Sequence, residues 1–322
     1  MTGLVLLLGW WVAPWVSTAR PSVQGMVWIP EWLWFLAMLP GAVILMAMSL
    51  RLASRRIGAC WVLVAVLPLL IVGRGVWNRE WHPVRPPGSE EAARIVFLNA
   101  NHPSQATRGD MLDAIQAHEP DLMLVVNPGW LAPMLRAWVQ DEREDAEGPE
   151  SQRRDDWTVR WIEPLMVASP HGNVSIRTLA MRDGIRAMRL ILSEPVAEAL
   201  GMSNVLVVDL PSDPNRNRTD ILRRLADVLE KHRDENGLEV DLLVGDFNTT
   251  PRTIGIDRVW PGLMDLFPES GSGWGATWPR ERPLIRIDLA LASEQVDSNR
   301  LSTFDPGGGG HRGLVIEIIP NR

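Results

Sequence analysis

Two polar side chains, Asp246 and Asn248, directly follow the largely apolar segment Val240–Val244. A buried strand that ends in Gly-Asp-x-Asn delivers a carboxylate and a carboxamide to the same side of its carboxyl end. Such a pair suits phosphoester hydrolysis, because the carboxylate can orient or deprotonate a water molecule while the amide donates to a phosphoryl oxygen. Asp and Asn also populate turns for purely local reasons, so this pair needs support from other motifs.

Three further motifs follow in order toward the C-terminus. Trp278 ends a Gly-Ala-Thr-Trp segment, Asp288 ends an Arg-Ile-Asp segment that leads into an apolar run, and His311 follows four consecutive glycines. In this order the motifs resemble those of the endonuclease/exonuclease/phosphatase superfamily. That family reads Gly-Asp-Phe-Asn, then Thr-Trp, then Arg-Ile-Asp, then Ser-Asp-His-Arg.

The N-terminal half of the same region resembles the family as well. The segment Arg94–Asn99 is similar to the first family strand, which ends in an active-site Asn, and Glu119–Val126 is similar to the second strand. The resemblance covers roughly residues 92–318. It implies an α/β (α+β) fold, a four-layer sandwich of two sheets flanked by helices. One flanking helix is expected to be capped by Thr219 and to close near Gly237.

The resemblance also assigns catalytic roles to five residues. Asn99 matches the Asn that bonds the phosphate or the partner of the nucleophile. Asp246 matches the Asp that positions or activates the attacking water, and Asn248 matches its companion amide. Asp288 matches the carboxylate that holds the catalytic imidazole, and His311 matches that imidazole. A carboxylate bonded to one ring nitrogen fixes the tautomer and raises the basicity, which leaves the other nitrogen free for a phosphate oxygen.

The metal side of the motif set departs from the family. Asn127 stands where the family has a metal-binding Glu, Gly310 stands where it has an Asp, and Asn101 replaces a frequent acidic residue. Mg²⁺ or Mn²⁺ is the cofactor that the resemblance implies, with Asn127 and Asn101 as its weak ligands. Hard cations prefer anionic oxygens, so neutral amides are poor replacements. Two interpretations stay open: an attenuated metal-dependent phosphoesterase, and a pseudoenzyme that binds a ligand or partner in the old cleft.

The net charge of the C-terminal region indicates which class of substrate is favoured. From residue 90 onward the chain has 37 Asp and Glu against 25 Lys and Arg, a formal net charge of −12. Duplex-binding nucleases need basic side chains to neutralise phosphates. A small phosphoester or a lipid headgroup is therefore favoured over duplex DNA, with a nuclease as the second alternative. The predicted substrate contacts are Asp209, Arg286, Arg312 and Trp278.

The first eighty residues differ in composition from the rest of the chain. Only two acidic residues occur there, and tryptophans cluster near the ends of three apolar runs, as interfacial anchors do. We expect three transmembrane helices, a Pro-rich linker and a C-terminal domain, while buried core helices of a soluble protein remain the alternative. The expected spans are about residues 2–17, 31–50 and 57–76, followed by the linker at 81–91 and the domain at 92–322.

Membrane orientation rests on a weak bias. The loop between the second and third spans carries Arg51, Arg55 and Arg56, which favours a cytoplasmic loop, although three arginines between residues 74 and 85 favour the opposite. We predict a multi-pass protein of a bacterial cell membrane, with the lipid bilayer as a partner and the C-terminal domain extracytoplasmic. The single cysteine, Cys60, excludes a disulfide framework.

Overall fold

The computed structural model describes residues 2–19, 29–51, 55–88, 91–101, 103, 107–141, 157–253 and 255–320. The sequence also predicts two features that fall largely outside this part of the chain. One is a charged, solvated insert at residues 141–156, of which only Asp141 is described. The other is His102, a candidate for the cleft.

Two mixed sheets form the C-terminal domain. In the eight-stranded sheet the order is β1-β11-β13-β14-β2-β3-β5-β4, and in the six-stranded sheet it is β10-β12-β9-β8-β7-β6. The first sheet contains β1 (Trp81–His82), β2 (Ala93–Asn99), β3 (Leu122–Val126), β4 (Thr158–Ile162), β5 (Leu165–Ser169), β11 (Gly271–Trp274), β13 (Asp297–Phe304) and β14 (Gly313–Ile319). The second contains β6 (Val174–Arg182), β7 (Ile185–Leu192), β8 (Asn204–Asp209), β9 (Leu242–Asp246), β10 (Met264–Asp265) and β12 (Asp288–Ala292).

Nine helices are described in the same part of the chain. Three precede the domain and six lie within it. Their bounds are α1 (Thr2–Ala19), α2 (Glu31–Arg51), α3 (Arg55–Arg79), α4 (Arg108–Gln116), α5 (Leu131–Asp141), α6 (Glu194–Leu200), α7 (Arg218–Asn236), α8 (Ile256–Val259) and α9 (Phe267–Ser270).

The main core lies between the two sheets. Along β2, Ile95 and Phe97 face the other sheet, whereas Val96 and Leu98 face the helices. Successive side chains of a strand point to opposite faces, so a strand covered on both faces needs an uninterrupted apolar run. This explains why the central strands read as continuous apolar segments in the sequence.

Helices cover the outer faces of both sheets. The apolar face of α7 packs on the six-stranded sheet through Ile221, Leu225 and Leu229, while α4 and α5 pack on the eight-stranded sheet. The layers are therefore helix, sheet, sheet and helix, as the resemblance implied. The expected cap of α7 was wrong by two residues. Asn217, rather than Thr219, caps the helix by accepting from the Asp220 amide at 3.3 Å, and Gly237 at φ 58° ends it.

The N-terminal helices confirm only part of the membrane prediction. Among the described residues, two helical windows are long and apolar enough to cross a membrane, Glu31–Met48 and Val62–Arg79. The first predicted span, which corresponds to α1, is not one of them, so three transmembrane helices are not established. At 18 residues its length is about 27 Å, slightly less than a bilayer core. Its side chains beyond Ala13 lie outside the described set.

The expected linker is partly built into the domain. Trp81 and His82 form the edge strand β1, which pairs with β11. Further on, the Arg85 amide donates to Ser272 at 2.8 Å and the Gly88 amide donates to Glu317 at 2.6 Å. The helices are thus connected to the domain by a bonded segment rather than by a free tether.

Candidate active site

One row of charged residues crosses the six-stranded sheet at the end of its central strands. Arg186 of β7 is paired with Asp209 of β8, Asp209 with Asp246 of β9, and Asp246 with Asp288 of β12. Residues paired across adjacent strands point to the same face. Strand register therefore gathers three carboxylates and one guanidinium from four distant parts of the sequence.

The eight-stranded sheet supplies the facing side chains. Asn99 is the last residue of β2, Asn127 directly follows β3, and His311 lies just before β14. Since β2 and β3 are parallel, their carboxyl ends meet at one edge. Between the sheets lies a cleft of about 590 Å³. Its lining consists of Asn99, Asn101, Asn127, Gly184, Arg186, Asp209, Leu210, Pro211, Ser212, Asp213, Asp246, Asn248, Trp278, Ile285, Ile287 and His311.

Asp246, Asp288 and His311 form one end of the cleft, here called the histidine side. The Nδ1 atom of His311 lies 2.9 Å from Oδ2 of Asp288, and its Nε2 lies 3.8 Å from Oδ2 of Asp246. All three residues are at least 95% buried. The expected Asp288–His311 contact is thus observed, with Asp246 beside it in the cleft.

Burial and mutual charge shift the pKa values on this side. Burial raises the pKa of Asp246 well above its ordinary value, and the Asp288 carboxylate raises it further, whereas His311 lowers it. Burial lowers the pKa of His311, but the carboxylates of Asp288 and Asp246 offset that effect and raise it to about 9. The imidazole is therefore cationic at neutral pH, and Asp246 is a stronger base than an ordinary carboxylate.

Hydrogen bonds hold Asp246 in one orientation. Its Oδ1 accepts from the Asn248 amide at 2.8 Å, and its Oδ2 accepts from Nδ2 of Asn99 at 2.8 Å and from Nδ2 of Asn248 at 2.9 Å. The Asn248 side chain also donates to the Leu210 carbonyl at 2.8 Å. Both of its amide hydrogens are used in this way, so Asn248 positions Asp246 instead of donating to a phosphoryl oxygen, which was the sequence expectation.

Asn127, Asp209 and Arg186 form the other end of the cleft, here called the arginine side. Nη1 of Arg186 donates to Oδ2 of Asp209 at 2.6 Å and to Oδ1 of Asn127 at 3.0 Å. Nδ2 of Asn127 donates to Asp209 and to Asn99, each at 3.2 Å. Burial raises the pKa of Asp209, while the bond from Arg186 lowers it. Asp209, predicted to contact substrate, thus lines the cleft as the partner of Arg186.

Arg186 was not recognised in the sequence. It lies in a strand with two arginines three residues apart, Arg186 and Arg189, which point to opposite faces and form no recognisable motif. The pairing of Arg186 with Asp209 follows from the register of β7 on β8, two strands that are joined through α6 and not by a tight turn. The two-residue turn at Asp183-Gly184 indicates the hairpin of β6 and β7, which does not reveal the partner of Arg186 on β8.

The predicted metal ligands do not fit a divalent ion. Asn127 has no charge, its amide hydrogens are used, and its oxygen accepts from the guanidinium of Arg186. Asn101 lines the cleft but is also neutral. A second cation beside a guanidinium is repelled, and amides do not offset that repulsion. The neutral amides of Asn127 and Asn101 are therefore poor ligands for a divalent ion on this side.

A buried group that could hold a cation does exist on the histidine side. One ligand atom each from Asp246, Asp288 and His311 lie within 4.8 Å of one another. Oδ1 of Asp288 is buried and makes no hydrogen bond in the described part of the chain. An imidazole among the ligands suits Mn²⁺ or another transition metal better than Mg²⁺. A cation on Nε2 of His311 and a proton on that atom exclude one another.

The remaining predicted substrate contacts divide into two groups. Trp278 lines the cleft and is 40% exposed. Arg286 and Arg312 are not among the described lining residues. Arg286 is buried, binds Asp265 through both terminal nitrogens, and donates from Nε to the Arg79 carbonyl. Its neighbour Ile287 faces the cleft instead, because alternate side chains point to opposite faces.

Arg312 likewise has a structural partner. Its Nε donates to the Arg280 carbonyl at 3.2 Å. His171, another loop histidine considered for the cleft, binds Asp121 at 2.6 Å. Asp121 precedes β3, so that pair lies at the opposite end of the sheet from Asn127.

Comparison with known proteins gives structural likenesses alone. No family model and no curated protein sequence matches this chain. Humanized D. rerio TDP2 is 12% identical with a TM-score of 0.49, covering 71% of this chain and 99% of that one. An endonuclease/exonuclease/phosphatase family protein from Bacteroides thetaiotaomicron is 13% identical with a TM-score of 0.46, covering 70% and 97%. The human Nocturnin catalytic domain is 13% identical with a TM-score of 0.46, covering 74% and 97%.

Likenesses of this size say nothing about substrate or catalytic state. The family name of the Bacteroides thetaiotaomicron protein is the one that the ordered motifs of this chain resemble.

Proposed function

We propose that this chain is a membrane-tethered phosphoester hydrolase that acts on a small phosphoester or a lipid headgroup. The observation that carries the proposal is the histidine side, where Asp246, Asp288 and His311 meet in one cleft. Packing alone gives no reason to bring three ionisable groups together, because burial of charge is costly. Such clusters with perturbed pKa values are typical of functional sites.

The geometry suits general acid–base chemistry. Asp246, with its raised pKa, takes a proton from the attacking water, and its orientation is fixed by Asn99 and Asn248. His311, protonated and held by Asp288, gives a proton to the leaving oxygen as the phosphorus–oxygen bond breaks. The balance is one water consumed, with one phosphate group and one alcohol released. A divalent cation held by Asp246, Asp288 and His311 would take the place of the imidazole proton and would supply charge stabilisation instead of proton donation.

Charge and size favour a small substrate. From residue 90 onward the formal net charge of the chain is −12. The described lining of the cleft has three Asp residues, 209, 213 and 246. Duplex DNA requires a basic surface. A cleft of about 590 Å³ is in the range of sites for small molecules. A nuclease remains the second interpretation of the same fold.

Membrane attachment is supported by the exposure of the two candidate spans. Of these apolar windows, 22% and 18% are buried in the protein, whereas a core helix of a soluble protein is mostly buried. The described cleft lining has no residue from α1, α2 or α3, so these helices do not plug the site. We place the protein in a bacterial cell membrane as a multi-pass protein with an extracytoplasmic domain.

The cleft lies close to the start of α2. The indole nitrogen of Trp32 donates to the Leu284 carbonyl at 3.4 Å, and the next residue, Ile285, lines the cleft. Leu284 and Trp278 are 42% and 40% exposed. An apolar rim beside a membrane-entry helix is the arrangement that a lipid headgroup substrate needs, since its acyl chains stay in the bilayer.

The test is hydrolysis by the full chain in detergent micelles. We expect release of p-nitrophenol from bis(p-nitrophenyl) phosphate or p-nitrophenyl phosphate, and of headgroups from short-chain phospholipids. Each assay is run with EDTA, Mg²⁺ or Mn²⁺. The matched control is the Asp246→Ala, His311→Ala double variant. Wild-type turnover no greater than that of this variant, for every substrate and ion, would contradict the proposal.

A pseudoenzyme is the second candidate function. It is favoured by the neutral Asn127 and by the Arg186–Asp209 pair, which leave the arginine side without metal ligands. Calorimetry separates the two functions. Phosphate binding by a protein that has no turnover would support the pseudoenzyme. Mn²⁺ binding tighter than millimolar, lost in Asp246→Ala, would count against it.

A further inference from the structure

One arginine enters an acidic cleft at the end opposite the protonated His311. Among the described lining residues, Arg186 is the only lysine or arginine. It stands at the end of the row in which the other three members are Asp209, Asp246 and Asp288. A phosphoester is itself an anion, so it cannot approach three carboxylates without a compensating positive charge.

The bonding of Arg186 leaves part of its guanidinium available. In the described part of the chain, both of its hydrogen bonds come from Nη1, to Asp209 and Asn127. Its side chain remains 38% exposed, whereas that of Asp209 is 7% exposed. A guanidinium presents five N–H donors in a rigid planar fork, which suits phosphoryl oxygens. Nε and Nη2 can therefore donate to a ligand in the cleft while Nη1 keeps the side chain in place.

A chain of amides connects this guanidinium to the histidine side. Arg186 donates to Asn127, Asn127 donates to Asn99 at 3.2 Å, and Asn99 donates to Asp246 at 2.8 Å. Each donor is matched with an acceptor, so the spacing between the cation and the catalytic carboxylate is fixed. In this series of hydrogen bonds, the neutral side chain of Asn127 matters. A carboxylate at that position would form a second ion pair with Arg186 and cancel the charge that a phosphate needs.

We propose that Arg186 is the phosphate-binding cation of this cleft, and that the arginine side binds a phosphoryl oxygen without a divalent ion. The proposal rests on the proposed function, since it assigns the position of the phosphoryl group in that same site. It predicts that inorganic phosphate binds to the chain in the presence of EDTA. The ligand chemistry is shared by a free phosphoester and a lipid headgroup.

The experiment measures binding of inorganic phosphate by calorimetry, with the full chain in detergent and EDTA. Arg186→Ala is expected to weaken binding on the order of 10-fold or more, since one charge-assisted interaction is lost. Arg186→Lys should retain part of the affinity, because the charge stays but the fork is lost. The matched control is Arg189→Ala, on the same strand, whose guanidinium binds Asn204 outside the cleft. That variant should bind phosphate like the wild type.

Two additions keep the result interpretable. Arg186→Ala leaves the buried Asp209 without its partner, so the Arg186→Ala, Asp209→Asn variant removes both charges and should fold normally while still losing phosphate binding. Phosphate binding in EDTA that Arg186→Ala does not weaken would overturn the inference, as would binding that requires Mg²⁺ or Mn²⁺. A chain that binds phosphate through Arg186 but hydrolyses nothing would support the inference and contradict the proposed hydrolase.

The source of the phosphoryl group is tested separately. Vesicles of phosphatidylcholine with and without phosphatidic acid are offered to the full chain in nanodiscs that lack anionic lipid. Competition of phosphatidic acid with inorganic phosphate, lost in Arg186→Ala, assigns the subsite to a lipid headgroup. Competition by glycerol phosphate alone assigns it to a soluble phosphoester. Either result supports a phosphoryl subsite at Arg186, and competition by neither contradicts it.

Discussion

The two ends of the cleft belong to one row of paired residues but differ in burial and bonding. On the histidine side, the charged groups are at least 95% buried; burial lowers the pKa of His311, but the facing carboxylates raise it to about 9. On the arginine side, the Arg186 side chain is 38% exposed and is held by a neutral amide and a single carboxylate. One sheet edge can therefore provide proton transfer at one end and charge binding at the other. Asn99 bonds to both ends and sets their spacing.

The largest expected effect is on the histidine side. His311→Ala removes the proton donor, and Asp246→Ala removes the carboxylate that takes the proton from water. Each should lower kcat by about 10²- to 10⁴-fold, the usual contribution of a general acid or base. The measurement is steady-state hydrolysis of the best substrate found. Arg189→Ala, purified and assayed in the same way, is the control. A loss below twofold for both variants would contradict the difference in role between the two ends.

The second effect concerns pH. With a pKa of about 9, His311 stays protonated through neutral pH, so a rate that needs its proton should fall only as pH rises through about 9. Asp288→Asn removes the largest charge that raises this pKa. The fall in rate should then begin at a lower pH, toward the ordinary value of 6.5.

The measurement is the pH profile of kcat, together with NMR titration of the His311 ring. The same shift has a consequence for stability. Because the folded pKa lies above the unfolded one, the stabilisation is complete below about 6.5 and is lost as pH rises toward 9. Asp288→Asn should weaken that loss, and an unchanged profile would show that Asp288 does not control the imidazole.

The smallest expected effect comes from adding negative charge to the arginine side. Asn127→Glu with Gly310→Asp adds two carboxylates where the family pattern has them. We expect a several-fold gain in Mn²⁺ or Mg²⁺ affinity and a several-fold loss of phosphate affinity in EDTA, because the carboxylate introduced at position 127 pairs with Arg186. The matched control is Asn127→Gln, which keeps the amide. A Cβ at Gly310 would lie 2.9 Å from Nδ2 of Asn101, a side-chain end that can shift. Unchanged affinities for metal and phosphate would contradict the assignment of this side.

Much of the fold and of the histidine side was predictable from the sequence. Strands such as Ala93–Asn99 and Leu242–Asp246 are buried on both faces and therefore read as apolar runs, and strand-end polar residues meet at one edge. Arg186 was not predictable in this way, since its place depends on the antiparallel register of two strands. Arg286 was misassigned because its side chain points away from Ile287, toward Asp265. Neither fact follows from a motif.

The two ends of the cleft are predicted to affect different kinetic constants, kcat for the histidine side and KM for the arginine side, and measuring both constants tests their separate roles most directly. The experiment uses the full chain in detergent with EDTA, one phosphoester substrate, and the variants His311→Ala, Arg186→Ala and their combination. We predict that His311→Ala lowers kcat with little change in KM, that Arg186→Ala raises KM by about 10-fold or more, and that the combined variant shows both. A lowered kcat with unchanged KM in Arg186→Ala, or unchanged constants in His311→Ala, would contradict this division of roles.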